Sequence, residues 1–480
     1  MTMPYDPKSI ESICNYAKLL EGKTFKEVAA SENSRVSSGS VDVDIYEEKA
    51  RKGGLGELIE EVYFKILPNN ESGPDFKEAG LELKVTPYKK NKNKSFSSKE
   101  RLVIAMINYF KIVKESFFES IAWDKSENIL IIFYLWEEEI KYRLDYRIDY
   151  SYLYTPPKED LKIIIEDYNK IKSKVLEGRA HELSEADTLY LGAVTKAATS
   201  RNRTEQPCSD IKAKPRAFSF KNSYMTYVLN NYVLVASVKS TDEKLTTGEE
   251  REPFEEHILG KLSKNIGIED NVLFAKYFEN ATVAELKAIK QSKGRYSNLA
   301  FRMLGIKSNK AEEFIKANIV VKAIRIDLNG KIKESMSFPT FIIKGLIKEK
   351  WENSTVRNYF EETKFLFVTF KKHNDGSYYF NNAFFWNMPT SLIDGELKED
   401  WQKIVSTFKE GVELIPKKEK NNKVVVYNSL PGKSEQRILH VRPHATQSYY
   451  EIKGIVYGSG KKERDSDELP NGDRMTKQCF

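Results

Sequence analysis

The sequence predicts an α/β protein in which one mixed-sheet unit is written twice. Two observations carry that expectation. Segments of helical and strand periodicity alternate along the chain, the pattern of sheets flanked by helices. Four stretches also recur in the same order at nearly constant separation. Residues 167–178 (DYNKIKSKVLEG) match 400–411 (DWQKIVSTFKEG) 233 positions later, and residues 75–84 match 313–322 at 238. Lys99-Glu100 matches Lys333-Glu334 at 234, and residues 129–134 match 365–370 at 236. Chance can supply one such match, but four in register point to an internal repeat. The copies are placed at 1–235 and 295–480, with a linker and connecting helices over 236–294.

The elements follow in order. Residues 7–30 read as helices. Leu58, Ile59, Val62, Tyr63 and Ile66 predict an amphipathic helix over 56–66. Residues 81–86 alternate and are stopped by Pro87, which reads as a strand. The seven apolar residues from Ile129 to Leu135 suit a central buried strand. Residues 158–178 read as a helix. Residues 240–253 are polar, with few apolar side chains, and read as a linker or loop. Residues 254–310 carry Leu259, Leu262, Ile266, Leu286 and Ile289 at helical spacing and open the second copy. His181 follows a helix and reads as a cap or loop contact.

The 480 residues suit two domains, and 40% hydrophobic content spread along the chain argues against global disorder. No apolar run approaches the ~20 residues that span a bilayer. The N-terminal MTMPYDPKSIESIC lacks a secretory pattern. Cys14, Cys208 and Cys479 have no paired spacing, which argues against a zinc site or disulfide framework and for a reducing cytoplasm. No glycine-rich phosphate loop with lysine occurs, so ATP use is not expected. The net charge is +7, from 77 basic and 70 acidic residues. It concentrates in Lys89, Lys90, Lys92, Lys94, Lys99 and Arg101, and again in Lys196, Arg201, Arg203, Lys212, Lys214, Arg216 and Lys221. Such clusters either neutralise phosphates or are solvated loops.

The chemistry concentrates in residues 74–84, PDFKEAGLELK. Glu82 and Lys84 are two apart on a strand and leave one face, while Leu81, Leu83 and Val85 turn to a core. Asp75 ends the preceding segment and can reach the same face. Phosphodiester hydrolysis needs oxygen ligands for Mg²⁺, which Asp75 and Glu82 suit, since this ion takes few carboxylates plus water and substrate phosphate. It also needs a cation near the attacking water and the charge developing on phosphorus, which suits Lys84. Glu60 on the upstream helix would add a third carboxylate, and Lys125, just before the apolar strand, a second lysine. The D…ExK pattern is short, and an exposed amphipathic strand can carry it too.

Taken in order, these motifs resemble the PD-(D/E)xK nucleases, and within them the MutH mismatch-repair endonuclease family. The resemblance lies in GGLGELIE, in DFKEAGLELK, in Lys125 before the strand, in VTKAA at 194–198 and in RAFSFK at 216–221. Together with the duplication, the strings HELSEADTLYL, ESMSF and HVRPH extend it to the GATC-cutting type II restriction enzymes built from two MutH-like halves. The resemblance implies two homologous restriction-endonuclease-like domains, each a mixed sheet flanked by helices. It makes Asp75 and Glu82 metal ligands, Lys84 and Lys125 catalytic cations, and Glu60 a supporting carboxylate. It makes Lys196 a base reader in the major groove, with Arg216 and Lys221 in the DNA-binding set. Val194-Thr195 stands where the family has Arg-Pro, and Ser219 where it has Tyr. Both departures fall where base or methyl sensing is expected, so methylation response is not carried over.

The second copy has Glu313 for Asp75 and Val320 for Glu82, keeps Lys322 for Lys84, and has Glu361 and Asn298 opposite Lys125 and Glu60. One carboxylate is a poor Mg²⁺ site. Arg442-Pro443-His444-Ala445 keeps the form of the recognition loop, so Arg442 and His444 are expected to contact DNA, with His440 packing. The second copy is therefore expected to read DNA without cutting it, as a second site, a bridge or a regulator; a decayed scaffold is the plainer alternative. The repeat of the Lys221 region stops at Phe480, as if shortened. The expected function is Mg²⁺-dependent cleavage of both strands of double-stranded DNA at a short palindrome, 5′-GATC-3′, by chains that dimerise on DNA or across two sites. A partner-activated nickase of mismatch repair and a non-catalytic DNA-binding protein are the alternatives.

Overall fold

Residues 3–33, 54–66, 72–91, 94–196, 201–234, 243–332, 334–419 and 424–480 are described by a computed structural model. Gly53, Lys92, Lys333, residues 197–198 of the VTKAA stretch and the start of the polar linker lie outside the described residues. The chain forms two compact units. The first is Met1–Ala323, Lys364–Phe370 and Ser377–Trp386; the second is Ile324–Thr363, Lys371–Gly376 and Asn387–Phe480.

The first unit is organised around strand β1, Glu82–Lys90, followed by β2, Phe96–Ser98, β3, Leu102–Met106, β4, Ile129–Leu135, and β5, Ile148–Tyr154. The sheet order is β2-β1-β4-β5. β1 runs parallel to β4, pairing Glu82 with Ile129, and β5 runs antiparallel to β4. Period-two alternation sends the two faces of β1 and β4 into different cores. Leu81, Leu83, Leu130 and Ile132 pack with Ile13, Phe25, Leu58 and Ile59 from the N-terminal helices. Tyr88, Ile129, Ile131 and Phe133 pack with Ile164 and Tyr168 of the helix Lys158–Leu176. Each such large side chain contributes about 1.5–3 kcal/mol by leaving water.

Two elements differ from the sequence expectation. β1 does not stop at Pro87 but runs on to Lys90. The Pro87 carbonyl accepts the Lys99 N–H at 3.0 Å on the β2 side, so the proline nitrogen faces that side too and the ladder to β4 loses no donor. The expected helix over 56–66 is α-helical only over Gly54–Glu57 and becomes a π-turn over Leu58–Tyr63.

Beyond the Lys158–Leu176 helix come β6, Leu191–Thr195, the hairpin of β7, Thr204–Gln206, and β8, Ser209–Ala213, and then β9, Arg216–Phe220. β9 lies between β3 and β6. His181 meets Gln206 through Nδ1 at 3.1 Å, the loop contact expected of it. The helices Phe254–Ser263, Asp270–Tyr277, Val283–Gln291 and Arg295–Leu304 fill the region read as helical. They lead to β10, Ile319–Ile326, β11, Lys364–Lys372, and β12, Tyr378–Trp386, which pair in the order β10-β11-β12. Most of this sheet packs in the first unit. The repeat read from the sequence and the packing of the chain thus divide it at different places.

In the second unit Phe341, Trp351, Phe360, Trp401, Phe408 and Phe480 are buried. It carries the hairpin of β13, Leu414–Lys418, and β14, Val424–Asn428, and the short strand β15, Arg442–Pro443. A four-stranded sheet follows, from β16, Tyr449–Ile452, β17, Ile455–Gly458, β18, Ser466–Glu468, and β19, Arg474–Thr476. The last strand, β20, Gln478–Cys479, pairs with β15.

The two halves share a construction detail. Asp167, buried in its helix, accepts the N–H groups of Leu189, Tyr190 and Leu191 at 2.7, 2.6 and 2.9 Å. Asp400 does the same for Arg437, Ile438 and Leu439 at 3.0, 2.8 and 2.9 Å. Further on, Lys196 N–H meets the Pro215 carbonyl at 2.9 Å, and His444 N–H meets that of Lys477 at 2.7 Å. The fold is mixed α/β with homologous restriction-endonuclease-like halves.

Candidate active site

A tight turn brings Asp75 to Glu82. Phe76 and Leu81 bridge each other through Phe76 N–H to Leu81 O at 2.9 Å and the reverse bond at 3.2 Å. Gly80 completes the turn at φ +63°, a left-handed conformation that suits glycine. Asp75 thereby folds back along β1, and its Oδ2 accepts the Leu83 N–H at 2.9 Å.

Glu82 is completely buried. Lys84, on the same strand face, donates to Glu82 Oε1. Lys125 caps the short helix Ile121–Asp124 and donates to both Glu82 oxygens at 3.1 Å. The Glu82 N–H meets the Asn128 carbonyl at 3.0 Å, so the backbone that bears the carboxylate is tied to the entry of β4. Glu60 sits on the π-turn, where Phe64 N–H reaches back to Ile59 O and Ile66 N–H to Glu60 O. Turns of this kind often mark functional positions in helices. All five residues expected at the site, Glu60, Asp75, Glu82, Lys84 and Lys125, therefore belong to one neighbourhood.

Its electrostatics are those of a buried carboxylate with further carboxylates nearby and two partly exposed lysines against it. Burial pushes the Glu82 carboxyl up, against the pull of Lys84 and Lys125 and with repulsion from Asp75. Burial and the nearby Asp75 raise Glu60 to about 7, with further repulsion from Glu82 and Glu57 and relief from Lys84. Glu57 was not singled out in the sequence; it lies one turn before Glu60 in GELIE. Among the described residues no group of three or more His, Cys, Asp or Glu is already closed around a metal position. The donors present are carboxylate oxygens without imidazole or thiolate, a set for a hard cation that brings its own waters.

The expected DNA-contacting residues separate into two groups. Lys196 is exposed at the end of β6, and His444 is exposed just beyond β15. Arg442 is half-buried and reaches the Ser335 carbonyl at 3.4 Å. Arg216 and Lys221 are not on the surface. Arg216 is 4% exposed with Nη1 on the Ala193 carbonyl at 2.6 Å, and Lys221 is 1% exposed with Nζ on the Thr188 carbonyl at 2.6 Å. Their cationic heads satisfy backbone acceptors inside the unit, so these two expectations are corrected. Ser219, expected near methyl sensing, is likewise fully buried in β9. What the sequence reading missed is Asp167, whose carboxylate organises the entry to β6 and so the strand that presents Lys196. Its signal was present, since Asp167 and Asp400 open the best internal match.

In the second copy, Glu313 is buried and accepts N–H groups from Leu245 and Thr246 at 3.0 Å, with the Thr246 hydroxyl at 2.8 Å. The position equivalent to Asp75 is thus spent on the connecting segment. Burial depresses the pKa of Lys322. Glu361 pairs with Arg357 at 2.6 Å.

A mixed sheet bearing carboxylates and lysines at the start of a buried parallel pair defines a MutH-like nuclease domain. The family model for the DNA mismatch repair enzyme MutH matches residues 64–167, which include Asp75, Glu82, Lys84 and Lys125. The type II restriction enzyme Sau3AI of Staphylococcus aureus is 36% identical over 501 aligned positions, covering 98% of this chain and 96% of that enzyme. The DNA mismatch repair protein MutH of Shewanella woodyi is 25% identical over 233 positions, 48% of this chain and 95% of that protein. The chain belongs to the family of Sau3AI-like type II restriction enzymes and carries their MutH-like nuclease domain. Among the described residues, no helix is long and apolar enough to cross a membrane.

Proposed function

We propose that this restriction endonuclease hydrolyses both strands of double-stranded DNA at 5′-GATC-3′ with Mg²⁺. The observation that carries the reading is Glu82, a fully buried carboxylate held between Lys84 and Lys125 and beside Asp75. Asp75 and Glu82 would hold Mg²⁺, with Glu60 supporting them. When bound, the ion would polarise the scissile phosphate and lower the pKa of the attacking water. Lys84 and Lys125, released from Glu82 by a competing cation, would present ammonium groups to the phosphate and stabilise the charge that develops on its oxygens. The leucines behind β1 hold the strand rigid, so the cations meet the phosphate from fixed positions.

Lys196 would read base edges, since lysine donates to guanine O6 and N7. The second half would bind DNA through His444 and Arg442 without cutting, because its Glu313 is already committed to the connecting segment. One cutting site per chain and a two-stranded target would need two chains or two successive cuts, and the favoured form is a dimer on DNA or across two sites, without ATP. Plasmid digestion with Mg²⁺ and sequencing of the ends tests this reading. Linear fragments with uniform GATC ends support it; product that stops at the open circle would support the nickase alternative instead.

A further inference from the structure

We propose that the β7–β8 ribbon is a second DNA-reading element beside Lys196, and that Ile211 on it contacts the 5-methyl group of the target thymine. The inference rests on the reading of this chain as a GATC-specific nuclease. A two-stranded ribbon is one of the shapes the major groove admits, and the thymine methyl is an apolar group displayed there.

The ribbon is firmly held. Its strands pair Thr204 with Ala213 and Gln206 with Ser209. Gln206 is buried; its Oε1 accepts the Ala180 N–H at 2.7 Å, and its Nε2 donates to the Ile211 carbonyl. The Ile211 N–H donates to Ser209 Oγ at 3.2 Å. At the turn, the chain packs so closely on Gly178 that a Cβ there would lie 2.4 Å from the Cys208 carbonyl oxygen. The Ile211 carbonyl is therefore tied through Gln206 to Ala180 in the body of the unit, and the turn of the ribbon is packed on Gly178.

On this ribbon, the Ile211 side chain is 56% exposed, while Ala213, two positions on, is fully buried. A lone exposed aliphatic residue is ordinary. This one stands on a ribbon whose surroundings carry more basic than acidic side chains: Lys196, Arg201, Arg203 and Lys212 are exposed beside Glu205 and Asp210, with Lys212 paired to Glu205 at 3.5 Å. The reach also fits. Lys196 is bonded to Pro215, and Ile211 lies four residues before Pro215. Four residues span at most about 13–14 Å. A four-base-pair site spans three steps of 3.4 Å, about 10 Å, which is of the same order as that upper bound.

The test compares kcat/KM on duplexes of identical flanks containing GATC or GAUC, for the wild-type enzyme, Ile211→Ala and Ile211→Val. A buried methyl-sized contact corresponds to about a fourfold preference for thymine. The wild type is expected to show that preference, Ile211→Ala to cut both duplexes at equal efficiency, and Ile211→Val to retain it. Equal cutting of both duplexes by the wild type overturns the inference. So does a thymine preference that survives in Ile211→Ala. If the wild type cuts neither duplex, the GATC reading itself fails and the inference falls with it.

Discussion

Glu82 is shielded from water, with two ammonium groups against it and a second carboxylate alongside. Stability alone does not favour such a group, because burying a charge costs more than a well-packed apolar side chain would. Glu82→Ala is expected to abolish plasmid cleavage while leaving the far-ultraviolet circular dichroism spectrum of the wild type. Lys84→Ala is expected to slow cleavage by about 10²–10³-fold, the usual loss for a group stabilising developing charge. Glu60 makes a pH-dependent contribution in metal-free protein. Its pKa is raised to about 7 by burial and Asp75, above the ordinary 4.5, so the folded state holds the proton more tightly than the unfolded one. Stability in EDTA should therefore fall as pH rises from about 4.5 to about 7, and Glu60→Gln should flatten that decline in thermal unfolding curves. The surface and interior lysines should behave oppositely. Lys196→Ala is expected to weaken specific DNA binding by about 1–3 kcal/mol with unchanged thermal stability. Lys221→Ala should lower stability, because it leaves the Thr188 carbonyl without its partner.

At the scale of elements, the helix-borne aspartates are the parts that set the strands. Asp167 and Asp400 each accept three backbone N–H groups inside the protein. Replacing Asp167 by alanine leaves three buried donors unmet at roughly 1–3 kcal/mol each, whereas at Asp400 only the Leu439 donor is buried. Chemical denaturation should register a loss of about 3 kcal/mol or more for Asp167→Ala, with Asp167→Asn recovering part of it. The sequence made the central strands and the long helix legible because apolar runs and 3.6-residue spacing are set by burial, which is local in its pattern. It also made the shared face of Asp75, Glu82 and Lys84 legible, since strand alternation and a tight turn determine it, whereas Glu60 and Lys125 lie on other elements and were joined to them by the resemblance. The run of β1 through Pro87 was not legible, because it depends on which neighbour a proline nitrogen faces. Nor was the π-turn, which follows from packing rather than from spacing. Arg216 and Lys221 were misread as surface groups because charge does not reveal that a cation is aimed at an internal carbonyl.

At the scale of the whole molecule, the duplicated chain has, on the proposed reading, one half that would cut and one that would not. The residue equivalent to Asp75 is Glu313, held by the connecting segment, and the residue equivalent to Glu82 is Val320. Substituting His444 and Arg442 together should weaken DNA binding and slow cleavage without altering where the DNA is cut; no change in either would return the second half to a scaffold. The most direct test of the central claim is digestion of a supercoiled plasmid by wild type and Glu82→Ala in Mg²⁺, with an EDTA control and sequencing of the product ends. The site described predicts linear fragments ending at GATC from the wild type, and undigested plasmid from Glu82→Ala and in EDTA. Digestion by Glu82→Ala at the wild-type rate would contradict it.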